Sequence, residues 1–198
     1  MGWVAVTFYT KGTGYEQEVK KLRASAESLG VPLDEYAYPS RGSWRKNLNY
    51  KSYCILEAMK DRPGTDIVFI DADAVIRQWP ILFDGLSVAQ TYDIAFHRFK
   101  QSRLDPGKEL LSGTLWIANT AVGREIVTEW HREATRTPAI RHQRALDRVL
   151  QAKCRGARQF VLPIEYTAIF DHPAVRGKVE PVIEHFQASR RLRRLAHA

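Results

Sequence analysis

A chain of 198 residues, 44% of them hydrophobic, has apolar side chains for one sizeable core and too few for two comfortable ones. Its two cysteines, Cys54 and Cys154, stand about a hundred residues apart, outside any Cys-x-x-Cys or Cys/His spacing, which argues against a disulfide framework and a structural zinc. No stretch approaches the roughly 18 apolar residues of a spanning helix, Met1-Gly2-Trp3-Val4 carries no basic leader, and a soluble, cytoplasmic protein is expected.

The net charge of +8 favours polyanionic partners, with one basic stretch at Arg41, Arg45, Lys46 and Lys51 and another at Arg190, Arg191, Arg193 and Arg194. Short apolar runs alternate with amphipathic segments, the pattern of an α/β domain with buried strands and covering helices. Trp3 to Tyr9 reads as a strand, and Gly14 to Leu29 as a helix with Val19, Leu22, Ala26 and Leu29 on one face, stopped at Gly30-Val31-Pro32. Leu33 to Tyr38 reads as a strand, Lys46 to Lys60 as a helix, and Asp66 to Ile70 as the strongest strand of the chain. A turn at Trp79-Pro80 precedes a strand at Tyr92 to His97, a polar loop from Arg98 to Glu109 and a strand at Gly113 to Ala118. Helices are expected at Ala121 to Thr135 and Arg141 to Lys153, then short strands near Gln159 to Leu162 and Val182 to Phe186, and a basic tail at about 187–198. No repeat or linker divides the chain, so one domain is expected over 1–198.

Val68-Phe69-Ile70-Asp71-Ala72-Asp73 sets two carboxylates, one residue apart, directly after a buried strand. In open α/β sheets ligands bind outside the carboxyl ends of strands, and hard oxygen donors there suit Mg²⁺ or Mn²⁺ with phosphate. Alone the pattern is equally that of two turn aspartates.

Its surroundings carry more. Tyr50-Lys51 with Ile55-Leu56-Glu57-Ala58, then Asp71-Ala72-Asp73, Trp79-Pro80, Leu111-Ser112-Gly113-Thr114 with Asn119-Thr120, His142-Gln143-Arg144-Ala145-Leu146 and Leu162-Pro163 resemble, in this order, the nucleotide-diphospho-sugar transferases of the GT-A fold. The ending Ile183 to Arg191 resembles the His-x-x-Gly-x-x-Lys close of the glycogenin-like retaining members. The resemblance implies a Rossmann-like GT-A domain with a mixed, mostly parallel sheet flanked by helices, and transfer from a nucleotide-diphosphate sugar, a UDP-sugar favoured, with retention of configuration. It implies a Mn²⁺ or Mg²⁺ ion held by Asp71, Asp73 and His185, with Asp73 catalytic, and a donor site with Thr10, Lys51, Asp71 and Arg191. It further implies a substrate side at Ser112, Gly113, Thr114 and Gln143. The polarity and position of the loop from Arg98 to Glu109 suggest that it closes over the donor. Two positions depart from the family pattern. Ala188 replaces a glycine, and His142 replaces an aspartate, leaving the catalytic carboxylate unassigned and His142 as a candidate base.

Two other readings remain open. Asp71-Ala72-Asp73-Ala74-Val75 also fits the nucleophile motif of haloacid-dehalogenase-like phosphohydrolases, with Asp71 as nucleophile and Asp73 as general acid. A non-catalytic nucleic-acid-binding module would use the arginine-rich tail with Trp44, Arg45, Lys46 and Tyr50. The readings combine if the acceptor is itself a polyanion such as DNA, sugar being added to a modified base.

Overall fold

The computed structural model describes residues 2–100, 108–137 and 140–195. In chain order the first half comprises β1 (Trp3–Thr10), α1 (Tyr15–Leu29), β2 (Leu33–Tyr38), α2 (Trp44–Leu48), α3 (Tyr50–Asp61), β3 (Asp66–Ile70), β4 (Ala74–Ile76) and α4 (Ile81–Ala89). The second comprises β5 (Ile94–Lys100), β6 (Lys108–Ile117), α5 (Ala121–Arg136), α6 (His142–Ala152), β7 (Gln159–Val161), a 3-10 turn at Ile164–Thr167, β8 (Ala168–Ile169), β9 (Ile183–His185) and α7 (Ala188–Leu195).

Strand alternation sets the layers. Val4 and Val6 of β1, with Ile67 and Phe69 of β3, point into a core shared with α3, α5 and α6; Trp3 and Ala5, with Val68 and Ile70, point into a second core under α1 and α4. All five residues of β3 are buried, which is why this strand reads in the sequence as an unbroken apolar run. The main sheet has the order β2-β1-β3-β6-β5-β7, with β1 parallel to β2 and β3, β6 antiparallel to β3 and β5, and β7 parallel to β5. It is therefore mixed and mostly parallel, as expected. Helix α1 stops at Gly30, whose φ of 70° suits glycine and whose N–H bonds to the carbonyls of Ala26 and Glu27.

Four differences from the sequence reading matter. The helix expected over Lys46 to Lys60 is two, α2 and α3, because the chain turns at Asn49, and Ser43 caps α2 by accepting from the Lys46 N–H. The Trp79-Pro80 turn leads into α4, which buries Phe83 and Leu86. The strand expected from Gly113 begins at Lys108; of the polar loop Arg98 to Glu109, both ends belong to β5 and β6, and 101–107 lie outside the described residues. The basic tail contains α7.

A small second sheet, β4-β9-β8, joins distant parts of the chain, with β4 antiparallel to β9 and Ala74 opposite His185. Among the described residues no helix is long and apolar enough to cross a membrane.

Candidate metal centre and binding cavity

Asp71 leaves the end of β3 with its N–H donating to the Gly113 carbonyl at 2.8 Å, and a turn closed by the Ala74 N–H on the Asp71 carbonyl (3.0 Å) carries the chain through Asp73 into β4. The β4–β9 pairing then delivers His185. Beyond β9 the Phe186 N–H donates to the Asp73 carbonyl at 3.0 Å, and the Ala188 N–H donates to Asp73 Oδ2 at 2.6 Å, so this carboxylate caps α7. Asp71, Asp73 and His185 each offer a ligand atom, and these atoms lie within 4.8 Å of one another.

The electrostatics of this cluster favour a cation. Burial, and then the neighbouring Asp71 charge, raise Asp73 to about 6, against the opposing effects of the Ala188 N–H and Lys51. Burial is also the main reason His185 is lowered to about 4, which makes it a neutral imidazole near pH 7. Its Nε2 shares a 2.8 Å hydrogen bond with Thr114 Oγ1. With Nε2–H as the donor, Nδ1 keeps its lone pair for a metal. A Cβ added at Gly113 would lie 3.2 Å from His185 Nδ1 and 3.3 Å from Asp71 Oδ2, so glycine leaves open the space on which both groups converge. Lys51, 2% exposed, sets Nζ 2.7 Å from Asp71 Oδ1 and offsets one carboxylate. Two oxygen donors and one imidazole fit Mn²⁺ or Mg²⁺, an ion that would take its remaining ligands from water or phosphate.

The cluster opens into a cavity of about 1030 Å³. Asp71, Asp73 and His185 stand on its wall with Thr10 and Lys51, as do Ser112, Gly113, His142 and Gln143. Thr114 lies behind the wall, holding His185. Gln143 is tied to Glu109. Arg191 is not on the cavity wall, and its guanidinium pairs with the buried carboxylate of Glu18 on α1. His142 sets Nε2 2.9 Å from Ser112 Oγ, while its Nδ1 is buried. Tyr50 is buried as well, stacked on Tyr38 at 4.4 Å with the Arg41 guanidinium 3.7 Å from its ring centre, so it is not free to stack on a nucleobase.

Other wall residues escaped the sequence reading. Thr13, Gly14 and Tyr15 follow β1, and Ser40 and Asn47 follow β2, beside Trp44, which the sequence offered only for nucleic-acid binding. Their signal was positional: both segments start at carboxyl ends of parallel strands, where such sheets bind ligands. Leu192 of α7 packs against Gly14 and leaves no room for a side chain there.

No protein-family profile matches the sequence, and no curated protein does. Solved structures match over nearly the whole chain. A glycosyltransferase involved in the glycosylation of the major capsid of PBCV-1 superposes with a TM-score of 0.65 at 11% identity, over 98% of this chain and 100% of the other. The fold is that of the GT-A nucleotide-sugar transferases. Mouse xyloside xylosyltransferase 1 in its apo form shares this GT-A fold at a TM-score of 0.57 and 10% identity, over 96% and 99% of the two chains. GlyE of Streptococcus pneumoniae TIGR4 does so at 0.58 and 12%, over 93% of this chain and 55% of GlyE. The GT-A fold leaves the phosphohydrolase alternative without support from the architecture.

Proposed function

We propose that the chain is a metal-dependent glycosyltransferase that moves a sugar from a nucleotide-diphosphate donor, UDP-sugar favoured, to an acceptor hydroxyl or amine. The observation that carries this reading is the Asp71–Asp73–His185 cluster at the carboxyl end of β3, facing a large cavity within a GT-A fold. A Mn²⁺ or Mg²⁺ ion held there supplies positive charge to the diphosphate and eases its departure. The chain's own groups prepare the place. Thr114 fixes the His185 ring, the Ala188 N–H fixes Asp73, and Lys51 holds Asp71 while donating to the Ser112 carbonyl at 2.8 Å. Thr10, at the end of β1, lies on the wall beside Phe8 and Tyr9 and supplies the edge for the nucleobase.

Retention of configuration is favoured by the resemblance of Ile183 to Arg191 to the close of the retaining members. Among the described residues of the cavity wall the only carboxylates are Asp71 and Asp73. Arg45 and Arg141 stand on the same wall and favour an acceptor with negative charge, DNA among them.

Calorimetric titration with UDP and GDP, with and without Mn²⁺, tests the reading beside the Asp73→Ala variant. UDP binding that requires Mn²⁺ and weakens at least roughly a hundredfold in the variant is expected. Nucleotide binding indifferent to both Mn²⁺ and the substitution would overturn it.

A further inference from the structure

Ser112 and His142 form a contact on the cavity wall that the ion-holding residues leave unused. Ser112 is 2% exposed, and its Oγ lies 2.9 Å from His142 Nε2. Lys51 Nζ donates to the Ser112 carbonyl at 2.8 Å and reaches Oγ at 3.5 Å. The imidazole lies against the Trp130 indole, with ring centres 6.4 Å apart, and the Trp130 Nε1–H donates to the His142 carbonyl at 2.8 Å. His142 Nδ1 is buried with no hydrogen-bond partner among the described residues.

These contacts fix the serine side chain. An ammonium only donates, so the serine oxygen turns a lone pair toward Lys51, while His142 Nε2 holds the hydroxyl from the other side. Burial, with Lys51 nearby, keeps the ring uncharged. A serine hydroxyl held in this way has its remaining hydrogen-bonding direction set by its two partners. His142 has one nitrogen taken by Ser112 and the other closed off, an arrangement that suits it to act through the serine and not as a base on the acceptor.

We propose that His142 is a positioning residue that fixes the Ser112 hydroxyl to hydrogen-bond one hydroxyl of the transferred sugar, so that the pair distinguishes a sugar carrying that hydroxyl from its deoxy counterpart. This rests on the transferase reading.

The test compares UDP, UDP-glucose, UDP-galactose and the monodeoxy analogues of the better-bound sugar nucleotide, by calorimetry with Mn²⁺. In the natural protein, loss of one hydroxyl is expected to weaken binding roughly fivefold to tenfold, the scale of one neutral hydrogen bond. Ser112→Ala and His142→Phe should each abolish that discrimination, and the double variant should lose no more than either alone. His142→Gln, whose amide can still hold the serine hydroxyl, should restore it. Mn²⁺-dependent UDP binding reports whether each variant is folded, and Ser112→Ala decides the matter if His142→Phe is not. Equal weakening toward every sugar, additive losses, or no discrimination in the natural protein overturns this proposal alone. No metal-dependent binding of UDP or GDP overturns the transferase reading and this proposal with it.

Discussion

Around Asp71, Asp73 and His185 the cavity wall gathers two carboxylates and a ring kept neutral by burial, whereas around Ser112 and His142 it gathers a hydroxyl and an uncharged ring. Both regions draw on Lys51, which touches Asp71 on one side and Ser112 on the other. The first gathers donor atoms suited to a cation, so it should answer to ions and protons. The second depends on the direction of hydrogen bonds, and should answer to the shape and hydroxyl pattern of what binds.

The sharpest test of this division is Thr114→Val, which keeps the side-chain shape but removes the hydroxyl that orients His185. Mn²⁺ affinity, measured by calorimetry, should fall about tenfold to a hundredfold; an unchanged value would mean that His185 needs no such support. Acid gives the next effect. With Asp73 raised to about 6 by burial and the Asp71 charge, the carboxylate is mostly ionised a unit above that value and proton competition grows below it. Mn²⁺ affinity should be flat from pH 8 to 7 and lose about tenfold per unit below pH 6, whereas a profile flat down to pH 5 would remove Asp73 from the site. Gly113→Ala puts a Cβ 3.0 Å from His185 Cε1, a crowding that should cost about 1 kcal/mol of ion binding, roughly fivefold. Equal Mn²⁺ affinities for the variant and the natural protein would show that the ligands shift without loss. The smallest effect is expected from Arg191→Ala. Its guanidinium is 60% exposed and Glu18 keeps Lys21 at 3.1 Å, so thermal unfolding should report a stability change of no more than about 1 kcal/mol. A large loss of UDP affinity in this variant would instead show that Arg191 leaves Glu18 for the diphosphate.

What the sequence disclosed follows from how local each feature is. Strands β1, β2 and β3 and helices α1, α5 and α6 were legible because apolar periodicity declares an element that packs along its length. Strands β4 and β8, of three and two residues, are too short to show a period and exist because β9 pairs with both. Helix α7 is so rich in arginine that composition alone reads it as a solvated tail. In the site, Asp71, Asp73 and His185 were named through a motif order spread over roughly 50–190, and the structure sets their ligand atoms within 4.8 Å of one another. The capture of Arg191 by Glu18 joins residues 173 positions apart, and the hydrogen bond from Ser112 to His142 joins two helix and strand positions with no shared motif; neither leaves a trace in local sequence.

The meeting of β4 with β9 has a mechanical consequence. Asp73 and His185 belong to distant segments held side by side by three residue pairs, so an ion gripped by both closes a loop of roughly a hundred residues. An ion that binds only the folded arrangement stabilises it by mass action, about 2.7 kcal/mol at a hundred times its Kd. An ion held there would thus serve as a reversible brace, in a chain whose two cysteines are buried and free.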